Sequence, residues 1–463
     1  MFRFGHSANR EPNRVIGQEQ EHGSLLVLAL LAPFAGAAAG LIGVIFRLGL
    51  EQADRFRDAL IVGSHSQGLA GLLFVTAACS VAVAIAAWLV RRFSPPASGS
   101  GIPQVEAVLS GELPPAPPRL IPIKFVGGLL AIGSGLALGR EGPSVQMGAV
   151  IADVVGRVSG RRWPDRRILL AAGAGAGLAT AFNAPIAGAV FVLEELVRRF
   201  DTRIAITALG ASAGAIAVAR VLLGSAPDFH VEPLVYAGIT AWPFFVALGV
   251  VAGLAATLYN FTLLGAIGIA ERLSRWPVEL QAGVIGAAVG SFAWFAPRLV
   301  GGGDPITQHV LAGEAAVATI PLAFLLRFCL GAVSYAAATP GGLFAPMLVL
   351  GAQLGMFLGA SCRLAFPDLG LDPVSFAVVG MAAFFSGVVQ APVTGIVLVT
   401  EMTGGFTVLL PMLAACFAAM LVPNLLHSPP IYESLRELAV RHQKPKTSLE
   451  RQVHDQEIAV DHQ

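Results

Sequence analysis

Two glycine-to-proline breaks interrupt apolar sequence in opposite halves of this chain. The first is Gly139-Arg140-Glu141-Gly142-Pro143, and the second, 203 positions later, is Gly342-Leu343-Phe344-Ala345-Pro346. Arg140 and Glu141 are the only ionisable residues between positions 125 and 150. Charge at membrane depth is costly and usually marks an ion or proton path. Paired apolar segments broken by Gly and Pro also point to a binding site between two structural repeats.

The composition predicts an all-α protein that crosses a membrane several times. Charged residues make up 13% of the chain and hydrophobic residues 55%, whereas soluble domains carry about 25% charged residues. Runs without ionisable groups approach or exceed the about 20 residues of a spanning helix; they cover residues 24–46, 69–90, 328–362, 376–400 and 403–426. The first run is too long for the apolar part of a signal peptide, so we expect it to be the first membrane helix.

Several other classes of protein are disfavoured by the sequence. A net charge of +1 and the lack of a long basic run argue against a nucleic-acid surface. The four cysteines are isolated and lack CxxC spacing, so we expect no metal site. An intramembrane enzyme is the alternative from another class, but the sequence has neither HExxH nor GxSxG. We therefore expect neither an enzyme nor a cofactor.

A self-comparison divides the chain into two halves. Residues 184–194 and 391–401 share the pattern Ala-Pro-x-x-Gly-x-x-x-Val-x-Glu, at an offset of 207. The two breaks have nearly the same offset, which predicts homologous halves over residues 24–225 and 235–426, joined near residues 227–232. Hydropathy leaves open whether the halves are parallel or inverted. It also leaves open whether residues 233–270 form one long helix or a helix and a re-entrant piece.

The terminal segments are predicted to be polar and cytoplasmic. They are residues 1–23 and residues 427–463, and the membrane region is residues 24–426. Basic residues in both segments favour the cytoplasmic side. The C-terminal segment is long enough for one short helix and a tail, but not for a second soluble domain.

A third element, Gly99-Ser100-Gly101-Ile102-Pro103, resembles the two breaks. In each element, glycine permits unusual backbone and proline suits a first helical turn. A helix that starts there directs free N–H groups and its positive dipole end at the break. Any one element alone would be read as a helix cap. Three together predict an anion site built largely from backbone donors.

Four side chains near these elements have competing interpretations. Glu141 could pair with Arg140, but adjacent residues at a helix start point in different directions, which favours a gating and proton-carrying role. Glu194 and Glu195 end an apolar helix and precede two arginines, so interfacial ion pairs compete strongly with a functional role. From the residues alone, Tyr432 is best explained as an aromatic-belt residue.

The motifs together resemble the CLC family of chloride channels and chloride/proton antiporters. GSGIP at 99–103, GREGP at 139–143, AFNAP at 181–185 and GLFAP at 342–346 stand in family order, and the resemblance covers residues 24 to about 441. It implies a homodimer with one pore per subunit, each subunit built from two inverted halves of tilted and partial helices. It also implies that the three glycine elements form the selectivity filter.

The resemblance assigns a role to individual residues. Chloride would be bound by the hydroxyls of Ser100 and Tyr432 and by the N–H groups of Leu343 and Phe344. Glu141 would be the external gate, and Glu195 would be the internal proton-transfer acid. Lys124 falls on a position that is usually basic in the family.

The implied function is chloride/proton antiport in a bacterial inner membrane. Chloride and protons would be the transported ions, and bound chloride would be the only non-protein component. An uncoupled voltage- or pH-gated chloride channel on the same fold is the alternative. Nitrate-preferring relatives tend to carry Pro where this chain has Ser100, which favours chloride. One departure is Gln104, where many members have Glu, and the regulatory CBS domains of eukaryotic members have no room here.

Overall fold

The computed structural model describes residues 11–234, 238–273 and 275–443, with side chains described from residue 25 to residue 441. Within these ranges all regular structure is helical, and no strand is present. Seven helices in this part of the chain are long and apolar enough to cross a membrane, and four more are shorter but apolar. The prediction of an all-α, multi-pass membrane protein is confirmed.

Helices of very unequal length make up the two halves and the tail. The first half contains α1 (Glu11–Ser64), α2 (Leu69–Phe93), α3 (Ile102–Leu109), α4 (Leu120–Gly133), α5 (Glu141–Val158), α6 (Trp163–Phe182), α7 (Pro185–Phe191) and α8 (Thr202–Leu223). The second contains α9 (Trp242–Arg272), α10 (Val278–Phe295), α11 (Asp304–Leu311), α12 (Ile320–Tyr335), α13 (Phe344–Ala365), α14 (Pro373–Val389), α15 (Pro392–Thr403) and α16 (Leu409–Leu425). A short helix, α17 (Ile431–Gln443), begins the polar tail. Residues 1–10 and 444–463 of the predicted terminal segments lie outside the described residues.

The first membrane helix is much longer than the apolar run that predicted it. Helix α1 continues past residue 46 to Ser64, although this part carries several charges. Those charges are largely paired: Arg47 contacts Glu51 and Asp228, and Arg57 contacts Asp54. Pairing lets the helix extend where an uncompensated charge would have ended the apolar span. In the second half, α9 is a single long helix, which resolves the alternative for residues 233–270.

Corresponding helices of the two halves begin in the same way. Helices α5 and α13 start directly at the two glycine-to-proline breaks. Helices α7 and α15 start at Pro185 and Pro392, each shortly after a residue with positive φ, Asn183 at 49° and Gln390 at 64°. The repeat found in the sequence is therefore a repeat of structure.

The paired short helices α7 and α15 run antiparallel. Glu401, near the end of α15, accepts hydrogen bonds from the N–H groups of Ile186 and Ala187 in the first turn of α7. Glu194, just beyond α7, accepts from the first turn of α15. A twofold axis that exchanges two antiparallel segments must lie perpendicular to them. The two halves are therefore inverted rather than parallel, which settles the question that hydropathy left open.

Glycines let the helices behind the two breaks pack backbone to backbone. A Cβ atom placed on Gly148 of α5 would lie 2.3 Å from the Gly173 carbonyl oxygen of α6. The equivalent contact in the second half joins Gly351 of α13 to the Gly380 carbonyl of α14 at 2.4 Å. No side chain fits at either place, as is common where membrane helices approach closely. This packing fixes the starts of α5 and α13.

Candidate functional site

Short backbone bridges bring together the segments that precede α3, α5 and α13. Gly139 and Gly342 exchange two hydrogen bonds, of 2.8 and 2.7 Å. Gly99 donates to the Thr339 carbonyl and accepts from the Gly341 N–H, both at 3.1 Å. Three helix N-termini from distant parts of the sequence therefore converge, as the three glycine elements predicted.

Glycine is required at the point of convergence. A Cβ atom on Gly142 would lie 2.5 Å from the carbonyl and hydroxyl oxygens of Ser100. One on Gly342 would lie 2.8 Å from a carboxylate oxygen of Glu141. Gly101, the residue before α3, has a φ of 91°, which is costly for any side-chain-bearing residue. These glycines therefore keep side chains away from the backbone N–H groups at the starts of the three helices.

Two buried side chains hold the loop that contains Ser100. The Lys124 ammonium group donates to the carbonyls of Ala97 at 3.0 Å and Gly99 at 2.7 Å. The Tyr335 hydroxyl accepts a 3.3 Å hydrogen bond from the Ser100 N–H. Lys124 is fully buried, and carbonyl oxygens are its hydrogen-bond partners.

The four expected anion ligands surround the converging helix ends. The hydroxyls of Ser100 and Tyr432 are buried and have no hydrogen-bond partner among the described residues. Among the described residues, the backbone N–H groups of Leu343 and Phe344 donate no hydrogen bond. The Phe344 and Tyr432 rings stack with centroids 5.9 Å apart. Tyr432 is fully buried, so the aromatic-belt interpretation does not apply to it.

A cluster of aromatic rings surrounds Phe344. Its ring centroid lies 4.7 Å from that of Phe385, 5.8 Å from that of Phe191 and 6.0 Å from that of Phe182. These rings exclude water from the start of α13. Hydrogen bonds and dipoles act more strongly on an ion in such a low-dielectric environment than they would in water.

The Glu141 carboxylate lies inside this site. It is fully buried, and one of its oxygens accepts a 2.9 Å hydrogen bond from the Ala345 N–H in the first turn of α13. The other oxygen has no partner among the described residues. The protein thus places its own carboxylate on donors of the kind that bind anions at helix N-termini.

The Arg140 guanidinium points away from Glu141. It forms ion pairs with Asp304 at 2.7 Å and Asp228 at 3.2 Å and donates to the Ala181 carbonyl. The direct pair between the two neighbours, disfavoured from the sequence, is not formed. The Arg140 charge is therefore compensated by two carboxylates.

A cavity of about 220 Å³ leads towards this region, and its lining is strongly charged. It is lined by Arg47, Glu51 and Asp54 of α1, by Arg140, Asp228 and Asp304, and by Gly139 and Ala345.

Glu195 occupies a second buried acidic site. It lies in a single π-helical turn, Val192–Leu196, which follows α7, and only 3% of its surface is exposed. Arg198 lies 3.7 Å away and also contacts Glu433 of α17 at 3.2 Å. A cavity of about 660 Å³ is lined by Glu194, Glu195 and Arg198. The ion pair with an arginine that the sequence allowed is therefore present for Glu195, but its carboxyl group is buried.

Helix α17 contacts both regions through two consecutive residues. The Tyr432 ring stacks on that of Phe344, the first residue of α13. The residue after Tyr432, Glu433, is the one that binds Arg198. Helix α17 therefore contacts both the start of α13 and the surroundings of Glu195.

Four residues of this region were not singled out from the sequence: Glu106, Asp228, Asp304 and Tyr335. Glu106 is buried in α3 and interacts electrostatically with Glu195; two such acids can share one proton. It could have been found by the rule that drew attention to Glu141, since it is an isolated acid in apolar sequence. The other three carry no local signal, because their partners are more than eighty positions away.

Fold and site together define a class of membrane protein that conducts or transports ions. Inverted halves place broken helices around a buried site whose donors are backbone N–H groups and hydroxyls, with acids on either side. The family model for the voltage-gated chloride channel matches residues 82–424. The chain belongs to this family, which is the CLC family.

Relatives that match nearly the full length of the chain support this assignment. The H(+)/Cl(-) exchange transporter ClcA of Klebsiella pneumoniae (strain 342) is 35% identical over 436 residues, covering 92% of each chain. The ClcA of Vibrio cholerae serotype O1 (strain M66-2) is 34% identical over 443 residues, covering 93% of each.

Solved structures give the same result. A slow cyanobacterial Cl-/H+ antiporter has a TM-score of 0.86 and 32% identity, covering 90% of this chain and 98% of its own. A CLC-type fluoride/proton antiporter has a TM-score of 0.74 at 23% identity, covering 88% of this chain and 97% of its own, which shows the shared fold.

Proposed function

We propose that this protein exchanges chloride for protons across a bacterial inner membrane. The observation that carries the proposal is the Glu141 carboxylate on the Ala345 N–H, because it makes a titratable group and an anion compete for the same helix end. The identity of the transported ions is proposed from the relatives that are named as chloride/proton exchangers.

Chloride binds, in this proposal, where the three helix ends converge. The hydroxyls of Ser100 and Tyr432 and the N–H groups of Leu343 and Phe344 are donors without acceptors in the described structure. Chloride is bound by hydrogen-bond donors and needs no basic ligand, so small uncharged donor groups are suitable ligands. Residues 99–103, 139–143 and 342–346 act as the selectivity filter, since they form the walls of this convergence.

Glu141 acts as the external gate. When ionised it takes the donors at the start of α13 and excludes chloride. When protonated it binds these donors less strongly, and it can leave with its proton while chloride takes its place. One side chain then controls the anion and carries the proton, so the two movements are linked.

Glu195 acts as the internal proton-transfer acid. It is buried beside Glu106 and lines the cavity that opens near Arg198, so it can exchange protons on that side without lying in the chloride path. A simple channel has no need of a second buried acid there. This placement favours antiport over the uncoupled chloride channel.

Ion flux from purified protein in liposomes tests the proposal. With a pH gradient imposed at fixed chloride, the reversal potential should move away from the chloride equilibrium value. A reversal potential that follows chloride alone would show an uncoupled channel instead.

We extend the proposal to the assembly and the topology, which family membership supports. Two copies form a homodimer with one pore in each, residues 24–426 form the membrane domain, and residues 1–23 and 427–463 are cytoplasmic. Large apolar side chains exposed on α8 and α16, including Leu209, Leu413 and Phe417, are available for the partner or for lipid. Mass measurement in detergent should give twice the chain mass, and a monomer mass would contradict the dimer.

A further inference from the structure

Reciprocal carboxylate caps join the short helices α7 and α15. Glu194 accepts hydrogen bonds from the N–H groups of Val393 at 3.0 Å and Thr394 at 2.6 Å. In the other direction, Glu401 accepts from Ile186 at 3.1 Å and Ala187 at 2.8 Å. A carboxylate on the first turn of a helix satisfies free N–H groups and interacts favourably with the helix dipole.

The two caps differ in the residue that follows them. After Glu194 comes Glu195, the buried acid; after Glu401 comes Met402, a buried apolar side chain. The first-half cap also has one more bond, because the Thr394 hydroxyl donates to Glu194 at 2.7 Å. The position equivalent to Thr394 in the first half is Ala187, which has no hydroxyl.

The backbone around the two caps differs as well. Glu194 and Glu195 lie in the π-helical turn Val192–Leu196, whereas Glu401 and Met402 lie in regular α-helix that continues to Thr403. A π turn is uncommon and often occurs at functional sites. One residue inserted into an α-helix rotates the following side chains by about 100°, so the π turn decides which way Glu195 faces.

We propose that Glu194 is a positioning residue for proton transfer. By accepting three hydrogen bonds from the start of α15, it anchors the π turn and keeps the neighbouring Glu195 directed into the protein. Glu194 itself carries no proton in this role. The inference rests on the proposed function, because it assigns a partner to the proton-transfer acid.

Three single variants separate this role from its alternatives. Glu194→Gln removes a charged acceptor, and Thr394→Val removes one bond to Glu194 while leaving both acids in place. Glu401→Gln is the matched control, since it weakens the same kind of cap in the half that lacks the acid. The measurement is the ratio of chloride to protons moved by purified protein in liposomes, after size-exclusion chromatography shows that each variant is folded.

Both Glu194→Gln and Thr394→Val should raise the chloride-to-proton ratio about twofold or more, as expected when one or two buried hydrogen bonds are lost. Glu401→Gln should keep the wild-type ratio. Three unchanged ratios, or an equal change in all three, would overturn the positioning role. A change in Glu194→Gln alone would also overturn it, because a proton relay through Glu194 would then explain the result.

Hydrogen exchange gives a readout that does not depend on coupling. Backbone amides of residues 192–198 should exchange faster in Thr394→Val than in the wild type, with no such change in Glu401→Gln. Equal exchange in Thr394→Val and the wild type would contradict the anchoring. If the wild type moves chloride without protons, the proposed function fails, and this exchange result still reports on the anchor.

Discussion

The Glu141 carboxylate and the Ala345 N–H form a 2.9 Å hydrogen bond across 204 positions of sequence. The bond joins the break of the first half to the break of the second half. The two glycine-to-proline breaks thus share one backbone arrangement but contribute different groups. The first carries a carboxylate, and the second supplies the N–H group that binds it.

Replacing Glu141 by Gln should abolish proton movement and leave chloride passage. The amide carries no transferable proton at physiological pH and no negative charge to compete with chloride. Chloride efflux and proton uptake should be followed together in liposomes at several pH values. Glu314→Gln, an exposed acid paired with His309, is the control and should keep both fluxes. A chloride flux in Glu141→Gln with the pH dependence of the wild type would count against the gating role.

Replacing Glu195 by Gln should stop proton movement and preserve chloride movement. Its carboxyl group lies apart from the anion site, so chloride retains its ligands. A pH-sensitive dye and a chloride electrode should be read on the same liposomes. Glu437→Gln, an exposed acid of α17, should behave as the wild type. Proton movement that persists in Glu195→Gln would exclude the residue from the path.

Replacing Tyr335 by Phe should weaken chloride binding. The change removes the acceptor of the Ser100 N–H, so the loop that carries the Ser100 hydroxyl is held less firmly. The loss of one net hydrogen bond corresponds to a chloride Kd about 2- to 10-fold higher, measurable by isothermal titration calorimetry. Tyr259→Phe is a matched control, because that buried hydroxyl has no hydrogen-bond partner in the described structure. Equal affinities in the wild type and Tyr335→Phe would show that this bond does not support the site.

Replacing Asp304 by Asn should increase chloride flux at low ionic strength. The change removes one of the two carboxylates that compensate Arg140, so the entrance becomes more positive. Raising ionic strength with an impermeant salt should reduce the difference from the wild type. Glu314→Gln, in an exposed pair with His309, is the control. An increase that is insensitive to ionic strength would argue for a structural cause.

The framework of the site could be predicted from sequence because it depends on local backbone rules. Glycine and proline at fixed spacing mark where α3, α5 and α13 begin, and the structure starts these helices at Ile102, Glu141 and Phe344. The repeat was also visible, since Ala-Pro starts both α7 and α15. Its inverted orientation was not visible in the residue pattern and came only from the family resemblance, because it depends on the contacts that Glu194 and Glu401 make with the opposite helix.

The electrostatic partners could not be predicted because they are set by tertiary contacts. Asp228 belongs to the segment that joins the halves and looked like a linker residue, yet it pairs with Arg47 and Arg140. The length of α1 was underestimated for the same reason. Charges near its end appeared to close the membrane span, whereas they line a charged cavity.

Chloride-driven proton movement distinguishes coupled exchange from simple chloride conduction. Liposomes containing purified protein are loaded with high chloride and diluted into low chloride at equal pH, with the membrane potential clamped. Protons should move into the liposomes against their developing gradient as chloride leaves. In Glu141→Gln this proton movement should be lost, while chloride still leaves. Chloride efflux from the wild-type protein without any proton uptake would contradict it.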